Sequence, residues 1–387
     1  MIFAGRVAQL KPSPTLAIAA KAKEMKAAGI DVIGFGVGEP DFDTPDNIKE
    51  AAIKAIKKGV TKYTPASGTA ELKEAVCEKL KKDNSLSYKP TEVAISCGAK
   101  HALYNIFQVL CQKGDEVIII SPYWVSYPEM VRLSGAEPKI VKPPEANGFV
   151  PDLKEIAKHI TRRTKAIIVN SPSNPTGAVF DRGVLEKISE TAVAKKIFVI
   201  SDEIYEKLIY DGAEHVSTGS IGKDIFRQTL TVNGVSKTYS MTGWRIGYVA
   251  GAADIIKKIG ALQSQSTSNP ASISQAAALE ALKGPQAAAL LMAKKFAARR
   301  NLMTEGINLL KNISCVKPKG AFYVFCNISG TGLDSTAFSK RLLDEAHVAC
   351  VPGIAFGWDT HARLSFATDS EGIKTGLDRI GKWLQKF

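Results

Sequence analysis

Residues 229–251 read TLTVNGVSKTYSMTGWRIGYVAG. The stretch opens on a β-branched run, TLTVN, and closes on a second apolar run, IGYVAG (246–251). Both predict short strands. Between them Lys237 stands between Ser236 and Thr238, and Arg245 follows behind Gly243 and Trp244. Neither cation sits on a Lys/Glu-rich helix face, where this chain keeps most of its lysines. One reading makes them surface decoration. The other makes them a reactive amine beside an anion-binding guanidinium.

Working outward, the same alternation recurs. EVAIS (92–96) precedes a helical HALYNIFQVL, and EVIII (116–120) precedes YWVSYPEMVRL. KAIIVN (165–170) leads through a loop to RGVLEKISETAVAK, and IFVIS (197–201) leads to DEIYEKLIY, which also scans as a helix. Short β-branched runs alternating with amphipathic helices predict an α/β fold with a mostly parallel central sheet covered by helices. After about residue 285 the pattern changes to a long helical run (286–312), then AFYVFCN, a helix near 336–346, VACVP, ARLSFAT and a last helix. This predicts a smaller α+β domain. The expected division is 1–44 as an N-terminal segment packing with the small domain, 45–285 as the large domain and 286–387 as the small one. A helix from Thr15 to Ala28 with Gly29 as its stop fits the first segment.

In open parallel sheets, ligands bind outside the carboxyl ends of the strands. There this chain places Cys97-Gly98-Ala99-Lys100, then Ser121-Pro122-Tyr123-Trp124, then Asn170 to Gly177 with Asn174 inside it, then Asp202-Glu203-Ile204-Tyr205, then Gly234-Val235-Ser236-Lys237. Each has a bland reading: an ordinary helix start at Gly98-Ala99, an N-cap at Asp202, core packing for Trp124, a solvated surface for Lys237. Together they describe a site for an aromatic, phosphorylated, electrophilic cofactor. The phosphate would sit on a helix N-terminus with Ser236 and the fork of Arg245. A carboxylate would hold a ring nitrogen, Tyr205 and Asn174 a ring hydroxyl, and a lysine would capture a carbonyl. Those parts point to pyridoxal 5′-phosphate.

The totals are consistent with this. The chain has 387 residues, 45% of them hydrophobic, which suits a globular protein of more than one lobe rather than a disordered or fibrous chain. No apolar run approaches the roughly 20 residues of a membrane span. The start, MIFAGRVAQLKPSPT, lacks the apolar centre of a secretion signal, so a cytoplasmic location is expected. Six scattered cysteines form no CxxC pair, and no metal site is expected. The net charge of +13 is spread over amphipathic helices with acids interleaved, which favours anionic small molecules over nucleic acid. Ile33-Gly34-Phe35-Gly36-Val37-Gly38-Glu39 resembles a dinucleotide loop but has the wrong spacing and runs into Pro40 and Pro45, so NAD is set aside.

With those residues in view, the sequence resembles class I aminotransferases of pyridoxal-phosphate fold type I over essentially its whole length. GEPDFDTP (38–45), KYTPASG (62–68), SPYWVSYPEM (121–130), NSPSNPTG (170–177), SDEIYE (201–206), SKTYSMTGWRIGY (236–248) and ARLSFA (362–367) follow that family's order. Within it the chain is most similar to bacterial aspartate aminotransferases, including those that also accept prephenate. The resemblance implies ping-pong transfer of an amino group between L-aspartate and 2-oxoglutarate, giving oxaloacetate and L-glutamate. It implies that Lys237 bonds the cofactor and shuttles a proton, that Asp202 keeps the ring nitrogen protonated, and that Tyr205 and Asn174 hold the phenolic oxygen. Gly98, Ala99, Ser236 and Arg245 would bind phosphate, and Trp124 would stack on the ring. Tyr63 would reach the phosphate of a neighbouring subunit, which implies a homodimer with shared sites. Arg363, Asn174 and the backbone of Gly38 would clamp the substrate α-carboxylate. Lys100 and Thr15 would receive the distal carboxylate, and Lys11 lies where prephenate-using relatives carry a cation. Gly234 offers no hydroxyl where some relatives have serine, and Pro14 precedes Thr15. The rival on the same scaffold is an aromatic, alanine or prephenate aminotransferase or a β-lyase. The rival from another class is a pyridoxal-phosphate-binding regulator.

Overall fold

A computed structural model describes residues 3–10 and 14–387. Lys11 lies outside the described residues. The strands run β1 (Ile33–Gly34), β2 (Val93–Ser96), β3 (Glu116–Ile120), β4 (Glu137–Val141), β5 (Thr164–Asn170), β6 (Phe198–Asp202), β7 (Thr229–Gly234), β8 (Gly247–Ala250), β9 (Ser314–Cys315), β10 (Tyr323–Asn327), β11 (Val348–Ala349), β12 (Val351–Pro352) and β13 (His361–Ser365). Seven of them form one sheet in the order β2-β8-β7-β6-β5-β3-β4. Only β8 runs against the others. The remaining six strands therefore end at the same edge, and the loops that follow them meet there.

Every residue of β2, β7 and β8 is buried, as expected of a sheet covered on both faces. On one face the helix Ala99–Leu110 brings Leu103, Ile106 and Phe107 onto Val117, Ile119 and Val249. On the other, the helix Arg182–Lys195 brings Leu185, Ile188 and Ala192 onto Ile167, Val169 and Val199. A second sheet has the order β12-β13-β10-β9, all neighbours antiparallel. The helices Ala287–Asn308 and Ser370–Leu384 supply Phe296, Met303, Ile373 and Ile380 to its core. β1 pairs parallel with β11, which ties the chain before residue 44 to the C-terminal elements. The N-terminal helix runs Pro14–Ala27, and Gly29 takes φ +83°, a left-handed conformation open to glycine. No helix among the described residues is long and apolar enough to cross a membrane.

One expectation fails. DEIYEKLIY is not a helix. Asp202 is the last residue of β6, and the next residues form a turn closed by Glu206 N–H to Glu203 C=O at 3.0 Å and Leu208 N–H to Tyr205 C=O at 2.8 Å. The chain then leaves to pair with residues 319–321: Tyr210 N–H donates to Lys319 C=O, and Ala321 N–H donates to Leu208 C=O. Pairing with a distant segment outweighs local helix propensity here.

Candidate active site

The carboxyl edge of the large sheet opens into a cavity of about 310 Å³. Thr15, Gly38, Ala99, Lys100, Trp124, Asn174, Asp202, Tyr205, Ser236, Lys237, Arg245 and Arg363 line it. Twelve of the fifteen residues singled out in the sequence therefore line one cavity, from segments spread over most of the chain. Gly98 lies directly behind it, as the residue before the helix Ala99–Leu110. Tyr63 is not brought to this cavity. Its side chain is 90% exposed.

Lys237 follows β7 and turns back into the cavity. Its Nζ donates to the Gly38 carbonyl at 2.7 Å. Burial lowers its pKa to about 8, opposed first by Glu39. A larger fraction of neutral amine is then present near neutral pH than an ordinary lysine offers. Asp202 is buried, and its Oδ2 accepts from the Tyr127 hydroxyl at 2.6 Å. Its Oδ1 accepts from Ile204 N–H at 3.3 Å. Burial pushes its pKa up to about 6, against the Tyr127 and Ile204 hydrogen bonds. The Tyr205 and Tyr323 hydroxyls share a hydrogen bond of 2.8 Å, and burial holds both phenols above their usual range.

Arg363 sits on β13, the second strand of the small sheet, opposite Phe325 and Val351. It is 2% exposed. Its Nη1 donates to Asn174 Oδ1 at 3.0 Å and its Nη2 to the Gly36 carbonyl at 2.8 Å. Its Nε is buried with no partner among the described residues. A buried guanidinium facing only neutral acceptors is costly unless an anion joins it. Asn174 is itself set by Asn170, whose Oδ1 accepts Asn174 N–H at 2.9 Å and whose Nδ2 donates to the Asp202 carbonyl at 3.0 Å. One asparagine side chain thus couples the β5 loop to the end of β6.

The phosphate-sized corner is built from backbone. Gly98 takes φ +89°, and a Cβ there would lie 2.5 Å from Arg245 Nη2. Arg245 also takes a left-handed φ of +58°. Its Nη1 donates to the Thr242 carbonyl at 2.7 Å, and its Nη2 to the Cys97 carbonyl at 3.4 Å. The first N–H groups of the helix, the Ser236 hydroxyl and this guanidinium converge, which suits an anion. At Gly234 a Cβ would lie 2.9 Å from Gly247 Cα, so β7 has no room for a serine there without a shift.

Next to this corner, Lys100 Nζ lies 4.9 Å from the centre of the Trp124 ring. Burial, then Arg245, lowers its pKa. Thr15 Oγ1 is buried with no partner among the described residues. The cavity is therefore lined by four cationic side chains, Lys100, Lys237, Arg245 and Arg363.

Residues 30–380 match the family model described as "Aminotransferase class I and II". The chain belongs to the class I and II aminotransferases. An aspartate aminotransferase of Bacillus sp. (strain YM-2) is 49% identical over 389 residues, covering 99% of both chains. A probable aspartate/prephenate aminotransferase of Aquifex aeolicus is also 49% identical, covering 100% of this chain and 99% of the relative. Among solved structures, the aspartate aminotransferase from Thermus thermophilus with maleate superposes with a TM-score of 0.96 at 45% identity, covering 99% of each chain. This aminotransferase thus has the expected fold class and is a transaminase.

Sequence reasoning missed Tyr127, Asn170 and Tyr323, all of which line the cavity. Tyr127 was visible as a second aromatic three residues after Trp124, and Asn170 as a polar residue ending an apolar strand. Tyr323 had no such signal, because AFYVFCN reads as plain core.

Proposed function

We propose that the chain is a pyridoxal-phosphate-dependent aspartate aminotransferase. The observation that carries this reading is that Arg363 and Lys100 line the same cavity as Lys237. With Arg245 assigned to the phosphate and Lys237 to the aldehyde, a dicarboxylate offers one anion to Arg363 and one to Lys100. A substrate with an uncharged side chain, such as alanine, would offer Lys100 no counter-charge and so forgo that contact. The Thermus thermophilus enzyme was solved with maleate, itself a dicarboxylate, and this supports the same reading.

The residues fit the cofactor that the family implies. Gly98 leaves open space that a side chain would take from Arg245. Asp202 is a buried carboxylate whose hydrogen-bond donors among the described residues are one hydroxyl and one backbone N–H, so a protonated ring nitrogen would satisfy it. Gly98, Ala99, Ser236 and Arg245 would hold the phosphate, and Trp124, Asn174 and Tyr205 the ring. Pyridoxal 5′-phosphate supplies an aldehyde carbon and a ring that accepts electrons released at the substrate α-carbon.

The chain's own residues do the rest. Lys237 Nζ would hold the cofactor and then move a proton, a task whose positioned base contributes about 10²–10⁴-fold. Burial favours its neutral form. Asp202 would hold positive charge on the ring. Arg363, fixed by Asn174 and the Gly36 carbonyl, orients the α-carboxylate. Lys100 and Thr15 take the distal carboxylate and set the preference for four- and five-carbon diacids.

The proposal includes a cytoplasmic homodimer in which the exposed Tyr63 reaches the neighbouring subunit's phosphate, and it keeps the domain division 1–44, 45–285 and 286–387. The pairing of β1 with β11 supports placing the first segment with the last. A second reading, prephenate as an acceptor, is supported by relatives named aspartate/prephenate aminotransferases and by a second cavity of about 680 Å³ that shares Lys100, Val125, Ser126 and Arg245 with the first. Purified enzyme assayed with aspartate, glutamate, phenylalanine and alanine as donors, and with 2-oxoglutarate, oxaloacetate and prephenate as acceptors, tests both. Alanine outperforming aspartate would reject the main reading.

A further inference from the structure

The turn after β6 carries two pairs of side chains with the same spacing. Asp202 and Tyr205 line the cavity. Glu203 and Glu206 do not, yet both carboxylates are buried. Glu203 Oε1 accepts from Ser201 Oγ at 2.9 Å, and its Oε2 from Ser217 Oγ at 2.6 Å. Asn84, the last residue of the helix Ala70–Asn84, donates Nδ2 to Glu206 Oε2 at 2.6 Å and to Glu203 Oε2 at 3.2 Å. His215 Nε2 lies 3.1 Å from Glu203 and 3.9 Å from Glu206. Lys79 Nζ pairs directly with Glu206 and stands 3.7 Å from Asp83, which also binds Lys207 at 2.9 Å.

Two buried carboxylates thus meet one ammonium and one imidazole. Buried ion pairs are a poor source of stability, and apolar replacements often do as well. Cost without gain in stability calls for another use. Lys79 already supplies the cation beside Glu206, so the Glu203, Glu206 and His215 group reads as an internal charge balance rather than a metal site.

We infer that Lys79, Glu203, Glu206 and His215 are positioning residues that clamp the 202–206 turn from behind, so that Asp202 and Tyr205 meet the cofactor in fixed geometry. The inference rests on the proposed assignment of Asp202 and Tyr205 to pyridoxal phosphate. Electrostatics support it. Burial alone would lower the His215 pKa, but Glu203, then Glu206, outweigh burial and raise it. Burial alone would raise Glu206, but Lys79 and His215 hold it below its usual range. Two carboxylates thus face two basic groups across this cluster. The field of Glu203 also reaches Asp202. A changed balance should then be felt at the cofactor, with a sign.

The test uses loaded enzyme carrying Glu206→Gln, Lys79→Met, or both. The readouts are the pH midpoint of the bound cofactor's absorbance, kcat and the KM for aspartate. Glu206→Gln removes a negative charge and should lower the midpoint; Lys79→Met removes a positive one and should raise it, each by ~0.5 unit or more. In each single variant kcat should fall about fivefold or more while KM stays within about twofold, and the double variant should return most of the way, as coupled neighbours do. Midpoints equal to wild type in folded variants would overturn the inference. So would shifts of the same sign, or lower thermal stability with unchanged midpoints. If Lys79→Met does not fold, Glu206→Gln and the double variant carry the test. A wild-type enzyme without cofactor absorbance would instead reject the cofactor assignment itself.

Discussion

Replacing Tyr127 with phenylalanine removes one hydroxyl and keeps the ring. That hydroxyl donates to Asp202 Oδ2 at 2.6 Å inside a fully buried setting. A hydrogen bond to a charged acceptor is worth about 1.5–3 kcal/mol net. At 1.36 kcal/mol per unit, its loss should raise the Asp202 pKa by about 1–2 units. The wild-type value is about 6, so the variant should titrate near 7 to 8. The sign of the stability effect follows from linkage. Asp202 has a folded pKa above its unfolded value of 3.8, so the folded state binds the proton more tightly. Its contribution is therefore most favourable below pH 3.8 and declines as pH rises through the folded pKa. In the variant the decline continues through about pH 8, where the deficit against wild type reaches the full ~1.5–3 kcal/mol. Urea unfolding of cofactor-free protein at a series of pH values measures this directly. A difference between wild type and Tyr127→Phe that is the same at pH 5 and pH 8 would refute the assignment of Tyr127 as the hydroxyl that keeps Asp202 ionised.

Gly98→Ala puts a Cβ 2.5 Å from Arg245 Nη2 on a residue held at φ +89°, so cofactor affinity should fall by roughly tenfold or more, measured by reconstitution titration; undiminished affinity would remove Gly98 from the phosphate corner. Lys100→Met should lower kcat/KM for aspartate by ~10–100-fold and for alanine by less than about threefold, and equal losses would take Lys100 out of the specificity role. The rate at which cofactor-free protein captures the cofactor aldehyde should rise with pH to half its maximum near 8 and level off above it, following the neutral fraction of Lys237, whereas a midpoint in the ordinary lysine range would contradict a buried amine.

The strand ends were legible because parallel-sheet chemistry concentrates function where apolar runs stop. Lys237, Asp202, Asn174 and Ala99 all follow that rule, and all four line the same cavity. Arg363 and Lys100 were legible only through the ordered series of motifs, since an arginine on a small-sheet strand carries no local mark. The helical reading of DEIYEKLIY failed because the bonds that stop it come from residues 319–321, more than a hundred positions away. Glu203 and Glu206 look like solvated acids in the sequence. Their burial depends on Lys79 and His215, and no local pattern announces that meeting. Tyr63 stays outside the cavity of its own chain, and Lys11 lies outside the described residues.

The central claim is that Lys237 is the amine that holds the cofactor. Reducing the loaded enzyme with borohydride, digesting it and locating the pyridoxyl group by mass spectrometry tests it. The expected result is a single modified peptide, the one containing Lys237, and its absence in Lys237→Ala. A label on Lys100 or any other lysine, or none at all in enzyme that turns over aspartate, would contradict it.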